Sequence, residues 1–193
     1  MGRVKNFDET EVLHKAMLLF WCKGYEAVST RELAKAMGIN QFSLYASFEN
    51  KEVLYERALA HYYHSIIEEW LAKPLVATGA GKVSLRQFFE VFVEPGDGAL
   101  PAGCMIFNTM MIDLAKRAKI STIIDEYETL LTAGFSNIIR HDFPDASAEF
   151  VESTASLLLC FLAGIAIKKR NGFEGRPVQI VIDQIIKSIY NEE

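Results

Sequence analysis

Between positions 30 and 51 the chain concentrates side chains able to touch a polyanion and the bases it carries: Thr30, Arg31, Asn40, Gln41, Phe42, Ser43, Tyr45 and Lys51. Thr30 and Tyr45 offer hydroxyls to phosphate oxygens, while Arg31 and Lys51 bring charge; such contacts fix a protein's register on a duplex without reading it. Gln41 carries the donor and acceptor that match adenine N6 and N7, Ser43 adapts to several bases, and Phe42 can lie against a thymine methyl. The chemistry these residues suit is recognition rather than bond-making. Tyr45 has a second reading as a core aromatic, and Phe42 one as packing at a helix junction.

Support for catalysis is thin elsewhere. His14, His61, His64 and His141 form no metal pairs, and the spacing of His61 and His64 to Glu68 fits a solvated helix face. There is no glycine-rich phosphate loop, serine nucleophile elbow or paired-cysteine motif, so no enzyme, metal or cofactor is expected. Cys22, Cys104 and Cys160 are odd in number and far apart, which argues against a disulfide framework and for a reducing cytoplasm. Cys22 and Cys160 read as core residues. The longest apolar run, 155–167, is too short to span a membrane, and no membrane partner is expected.

The net charge of −5 speaks weakly against nucleic acid, but residues 1–51 hold seven Lys or Arg against six acids, leaving +1 there and −6 in the remainder. Specific contact must then come from well-placed groups, with Arg3 and Lys5 as an optional arm. The elements that place them are short. In 30–37, Leu33, Ala34 and Met37 share a face, with Ser29 or Thr30 as cap. Gly38 can take the left-handed conformation that reverses the chain. Asn40 caps a second helix, 41–48, which buries Leu44 and Phe48 and turns Gln41, Phe42, Ser43 and Tyr45 outward. A preceding helix, 8–22, supplies Leu13, Ala16, Met17 and Phe20 as its buried stripe.

Gly24, Ser29-Thr30, Leu33-Ala34, Gly38-Ile39, Ser43-Leu44-Tyr45, Phe48 and Lys51-Glu52 occur in the order of a known pattern. This stretch of about fifty residues resembles the N-terminal DNA-binding domain of the tetracycline-repressor (TetR) family of bacterial regulators. Phe42 stands where that pattern usually has a small residue, and Ala46-Ser47 replaces a frequent aromatic or histidine pair, which leaves the operator sequence open. The resemblance implies a homodimer on palindromic double-stranded DNA, most often a repressor, released by a small-molecule effector that tilts the helix beginning at Lys51.

The fold expected is all-α, with a helix-turn-helix domain at 1–51 and a helical effector-binding and dimerisation domain at 52–193. A helix at 51–72 carries Leu54, Ala58, His61, Tyr62, Ile66 and Trp70 on one side. A loop at 73–83 follows, then a helix at 84–94 capped by Ser84, a breaker cluster at 94–103, and helices at 104–118, 120–141, 147–169 and 177–190. Trp70, Phe88, Phe92, Cys104, Phe107, Asn108 and Met111 are candidates to line an apolar effector cavity, with His64 as a further polar handle. Cys104, after Gly103 at a helix N-terminus, has two readings: a small buried hydrophobe, or a low-pKa thiol that senses electrophiles or oxidants. The last two helices are too apolar for water on their outer sides. Leu158, Phe161, Ile165, Val181, Ile182, Ile185 and Ile189 are therefore expected to meet a second chain, with Ala163 and Gly164 permitting close approach.

Overall fold

The computed structural model describes residues 7–94 and 100–191; Arg3 and Lys5 and part of the breaker cluster lie outside them. The described residues form helices and turns without a strand, as the sequence implies. Helices α1 (Glu9–Lys23), α2 (Thr30–Met37) and α3 (Gln41–Phe48) make the N-terminal unit, and α4 (Lys51–Tyr62) packs along α1. Behind them stand α5 (Lys73–Val76), α6 (Lys82–Val93), α7 (Met105–Met110), α8 (Ala118–Asp142), α9 (Ala148–Arg170) and α10 (Arg176–Tyr190).

Helix α1 is capped by Asp8, whose carboxylate accepts the Thr10 amide at 2.8 Å. Its buried side is Val12, Ala16, Met17, Phe20 and Trp21; Leu13 is only half-buried, so the stripe is rotated from the one expected. Helix α4 does not stop at Tyr62 but continues as a π-helical stretch, Tyr63–Leu71. The wider π turn shifts the buried side by one residue, so Ile67 and Leu71 go inward and Ile66 and Trp70 sit at the edge.

Three boundaries differ from expectation for identifiable reasons. The 73–83 segment contains one helical turn, α5, with Pro74 near its start, where a missing amide costs nothing. Leu75 of that turn presses so closely on α8 that a Cβ at Gly134 would lie 2.7 Å from it. Helix α6 begins at Lys82, not after Ser84, because the Lys82 amide donates to Asp142 Oδ2 at 2.6 Å and caps the helix from α8. The helix expected over 104–118 is broken: α7 ends at Met110, Ile112 is extended, and a 3-10 turn, Asp113–Lys116, leads into α8.

The core of the C-terminal part is aromatic. Phe88 and Phe135 rings lie 5.4 Å apart edge to face, and Phe89 sits 5.4 Å from Phe161. Helix α9 packs along α8 and is 23 residues long with mean hydropathy 2.0 over its most apolar window, long and apolar enough to cross a membrane by that measure alone. The count of 155–167 underestimated it, since Ser153 and Thr154 end that run without making the helix polar.

The expected interface residues also need correction. Leu158, Ile165, Ile182 and Ile189 are buried inside this chain, whereas Phe161, Val181 and Ile185 are half-buried. The large apolar residues that α9 and α10 turn outward are Phe150, Leu157, Ile167 (52 % exposed) and Ile180. Gly164 is exposed beside them and Ala163 half-buried. Cys22 and Cys160, expected in the core, are exposed.

Candidate nucleic-acid interface

Helix α2 is anchored at both ends by local bonds. Ser29 Oγ accepts the Glu32 amide at 3.2 Å, and the Glu32 carboxylate accepts the Ser29 amide at 2.9 Å, a reciprocal capping box. The Ser29 amide, with Lys23 at 3.1 Å, holds the Glu32 carboxyl down to about 2. Gly38 ends α2 in the left-handed region at φ 71°, its amide returning to the Ala34 and Lys35 carbonyls. Asn40 then caps α3 by accepting the Ser43 amide at 2.8 Å. Leu33, Ala34, Met37, Leu44 and Phe48 are buried between the two helices and α1 and α4.

This geometry leaves the first turn of α3 in the open. Gln41 and Asn40 are exposed, Ser43 is half-buried, and Phe42 is 75 % exposed. Tyr45 is 46 % exposed, so neither aromatic is spent on the core. The Tyr45 hydroxyl donates to Thr30 Oγ1 at 3.3 Å, which brings the two phosphate-contact candidates from α2 and α3 together. Arg31 is exposed one residue further along α2. Lys51 sits at the N-terminus of α4 with its ammonium 4.1 Å over the Tyr25 ring. Arg57 was not foreseen. It pairs with Glu9 and lies 4.9 Å over the Phe48 ring, clamping α1 and α3 to α4.

The effector candidates do not form one cavity. Trp70 and Phe92 share a cleft with Trp21, Tyr62 and Ile66 of about 20 Å³, room for about one water. Trp21 also donates to the Gly103 carbonyl at 3.3 Å, tying α1 to the rim. Phe88 is inside the aromatic core, and Phe107 packs edge to face on Tyr127 at 5.4 Å. Asn108 and Met111 line a separate groove. His64 is exposed and bonded to Glu68 at 2.6 Å.

Cys104 is buried at the N-cap of α7, where its sulfur accepts from the Tyr62 hydroxyl at 3.5 Å and donates to Tyr127 at 3.7 Å. Burial pushes its thiol up despite the nearby amides, opposite to the lowering expected from the helix terminus alone. Among the described residues no group of three metal-ligating side chains gathers.

A capped helix-turn-helix whose second helix presents Gln41, Phe42 and Tyr45 to solvent, mounted on a helical body, defines a DNA-binding transcriptional regulator. The family model for bacterial regulatory proteins of the tetR family matches residues 12–58. Over 178 residues the chain is 30 % identical to the HTH-type transcriptional repressor ComR of Escherichia coli (strain K12), spanning 89 % of this chain and 83 % of ComR. A shorter match, 41 % identical over 61 residues, links 32 % of this chain to 31 % of the repressor BdcR of the same organism. The fold superposes with a TM-score of 0.78 on a cysteine mutant of the TetR family regulator CifR complexed with operator DNA, at 23 % identity over 96 % of this chain and 98 % of that one. The chain belongs to the tetR family of bacterial regulatory proteins. Its relatives are transcription regulators, not enzymes.

Proposed function

We propose that the protein is a cytoplasmic homodimeric repressor that holds a palindromic operator and leaves it when a small hydrophobic or electrophilic effector binds among residues 52–193. The observation that carries this reading is the exposed first turn of α3, with Tyr45 and Thr30 joined beside it. In it, Thr30, Arg31, Tyr45 and Lys51 hold phosphates, Gln41, Phe42 and Ser43 meet base edges, and Asn40 sets the start of α3. The reading unit is taken as 1–51.

The effector reading is supported by the course of one helix. Lys51 opens α4 beside the reading unit, and the end of that helix with its π-helical continuation brings Tyr62, Ile66 and Trp70 to the cleft shared with Phe92. A ligand that widens the cleft would displace the same helix that carries the reading unit, and release follows if the ligand favours the displaced state. Thiol sensing through Cys104 has less support, because burial keeps the thiol protonated. A Cys104→Ser protein that responds to electrophiles as the wild type does would remove it.

Selection from a randomised duplex library tests the reading of α3. Gln41→Ala should change the preferred bases, whereas Tyr45→Phe and Lys51→Ala should weaken binding on all sequences alike. If all three variants lose matched and mismatched sites equally, the division of labour is wrong.

A further inference from the structure

We infer that the groove between the α1–α2 turn and the ends of α7 and α9 is a second ligand site, separate from the Trp70 cleft, and that it takes a planar aromatic carboxylate. The groove holds about 310 Å³, within the range of small-molecule pockets. Its walls are the rings of Tyr25 and Tyr55, set edge to face at 5.1 Å, and Met111, which is 79 % exposed. A methionine turned out to water at a groove mouth is a flexible apolar cover for a flat ligand.

The polar groups in the groove select the ligand's charge. Asn108 lines the groove, and its Nδ2, closed to solvent, has no acceptor among the described residues. Such a donor is costly unless something accepts from it. The Tyr55 hydroxyl is not available for that purpose: the Thr109 hydroxyl already donates to the Met105 carbonyl, so the phenol donates to Thr109 at 2.7 Å. Arg170 reaches in from the end of α9, and among the described residues its one hydrogen bond is to the Trp21 carbonyl at 3.3 Å. Its guanidinium also flanks Gly24, where an added Cβ would lie 3.4 Å away. The remaining N–H groups of this planar fork match a carboxylate. Lys23 also lines the groove but is paired with Glu32, and Glu26 is the one carboxylate in the lining. Glu26 offsets Arg170 in net charge, so it is the geometry of the guanidinium fork, and not a surplus of charge, that favours a carboxylate.

The location adds a consequence. Tyr25 belongs to the reading unit, Asn108 to α7, Met111 to the turn that follows it, and Arg170 to α9, so a ligand bridging them ties the reading unit to the body.

Calorimetric titration of the full chain without DNA tests this independently of the operator reading, using 2-naphthoate and its uncharged amide as probes. The naphthoate should bind once per chain at about 0.1 mM and the amide at least about tenfold more weakly. Arg170→Met and Asn108→Leu should each weaken naphthoate about tenfold, while Trp70→Ala changes it by less than about twofold. Should Arg170→Met fail to fold, Arg170→Lys, which keeps the charge but loses the fork, is expected to bind with intermediate affinity. Equal binding of the two probes, no naphthoate binding up to about 5 mM, or loss that follows Trp70→Ala instead would overturn the site.

Discussion

Tyr45 illustrates how a single side chain can be kept out of the core and still be held in place. Leu44 and Phe48 take the inner side of α3, which leaves Tyr45 outside, and Thr30 fixes its hydroxyl. The Ser29 capping box acts one step earlier by setting where α2 begins. Because the folded Glu32 carboxyl is held below its ordinary value, its contribution is full above the usual carboxylate range and fades as pH falls toward about 2. Glu32→Gln should flatten that acid limb in denaturation curves recorded against pH; an unchanged limb would mean the box contributes little. The cysteines give a second residue-scale prediction. Exposed Cys22 should react quickly with a disulfide reagent, and Cys104 only on unfolding. Fast modification of Cys104 in the folded protein would reopen the sensor reading.

At the scale of elements, α1 and α4 meet through two imidazoles, His14 Nδ1 and His61 Nε2 at 3.3 Å. Burial first, then His14 and His64, lower the His61 pKa, against an opposing pull from Glu69. A lowered folded value means the folded state prefers neutral His61, so stability is present above the ordinary imidazole range and is lost as pH falls below it. Urea midpoints at about pH 7.5 and about pH 5.5 should diverge in the wild type and less so in His61→Gln; equal divergence in both would place the effect elsewhere. The short helices of the reading unit were legible because Ser29, Gly38, Asn40 and the Leu33, Leu44 and Phe48 spacing are local signals. What was not legible depended on distant partners. Asp142 caps α6 from sixty residues away, Glu9 and Phe48 hold Arg57, and the π turn that moves Trp70 to a cleft edge has no sequence mark of its own. Phe88 looked like a cavity residue by composition, and only packing places it in the core.

For the whole molecule, the outward apolar residues of α9 and α10 are the feature a lone chain leaves without use. Leu157→Glu and Ile180→Glu should convert a dimer to a folded monomer in sedimentation velocity, since both side chains are about half exposed. Leu158→Ala, inside the chain, should instead cost about 2–5 kcal/mol of stability. A dimer that survives both charged substitutions would move the interface off this face. Paired reading heads, one α3 on each chain, are what a palindromic site requires, so the two-fold assembly and the exposed first turn of α3 belong to one account. That account is tested most directly by capturing fragmented genomic DNA of the source organism on the purified protein at near-physiological salt and sequencing what is retained. It predicts a small set of fragments sharing one palindrome, lost in Gln41→Ala. Uniform retention that disappears with modest added salt would reduce the interface to unspecific phosphate contact and contradict it.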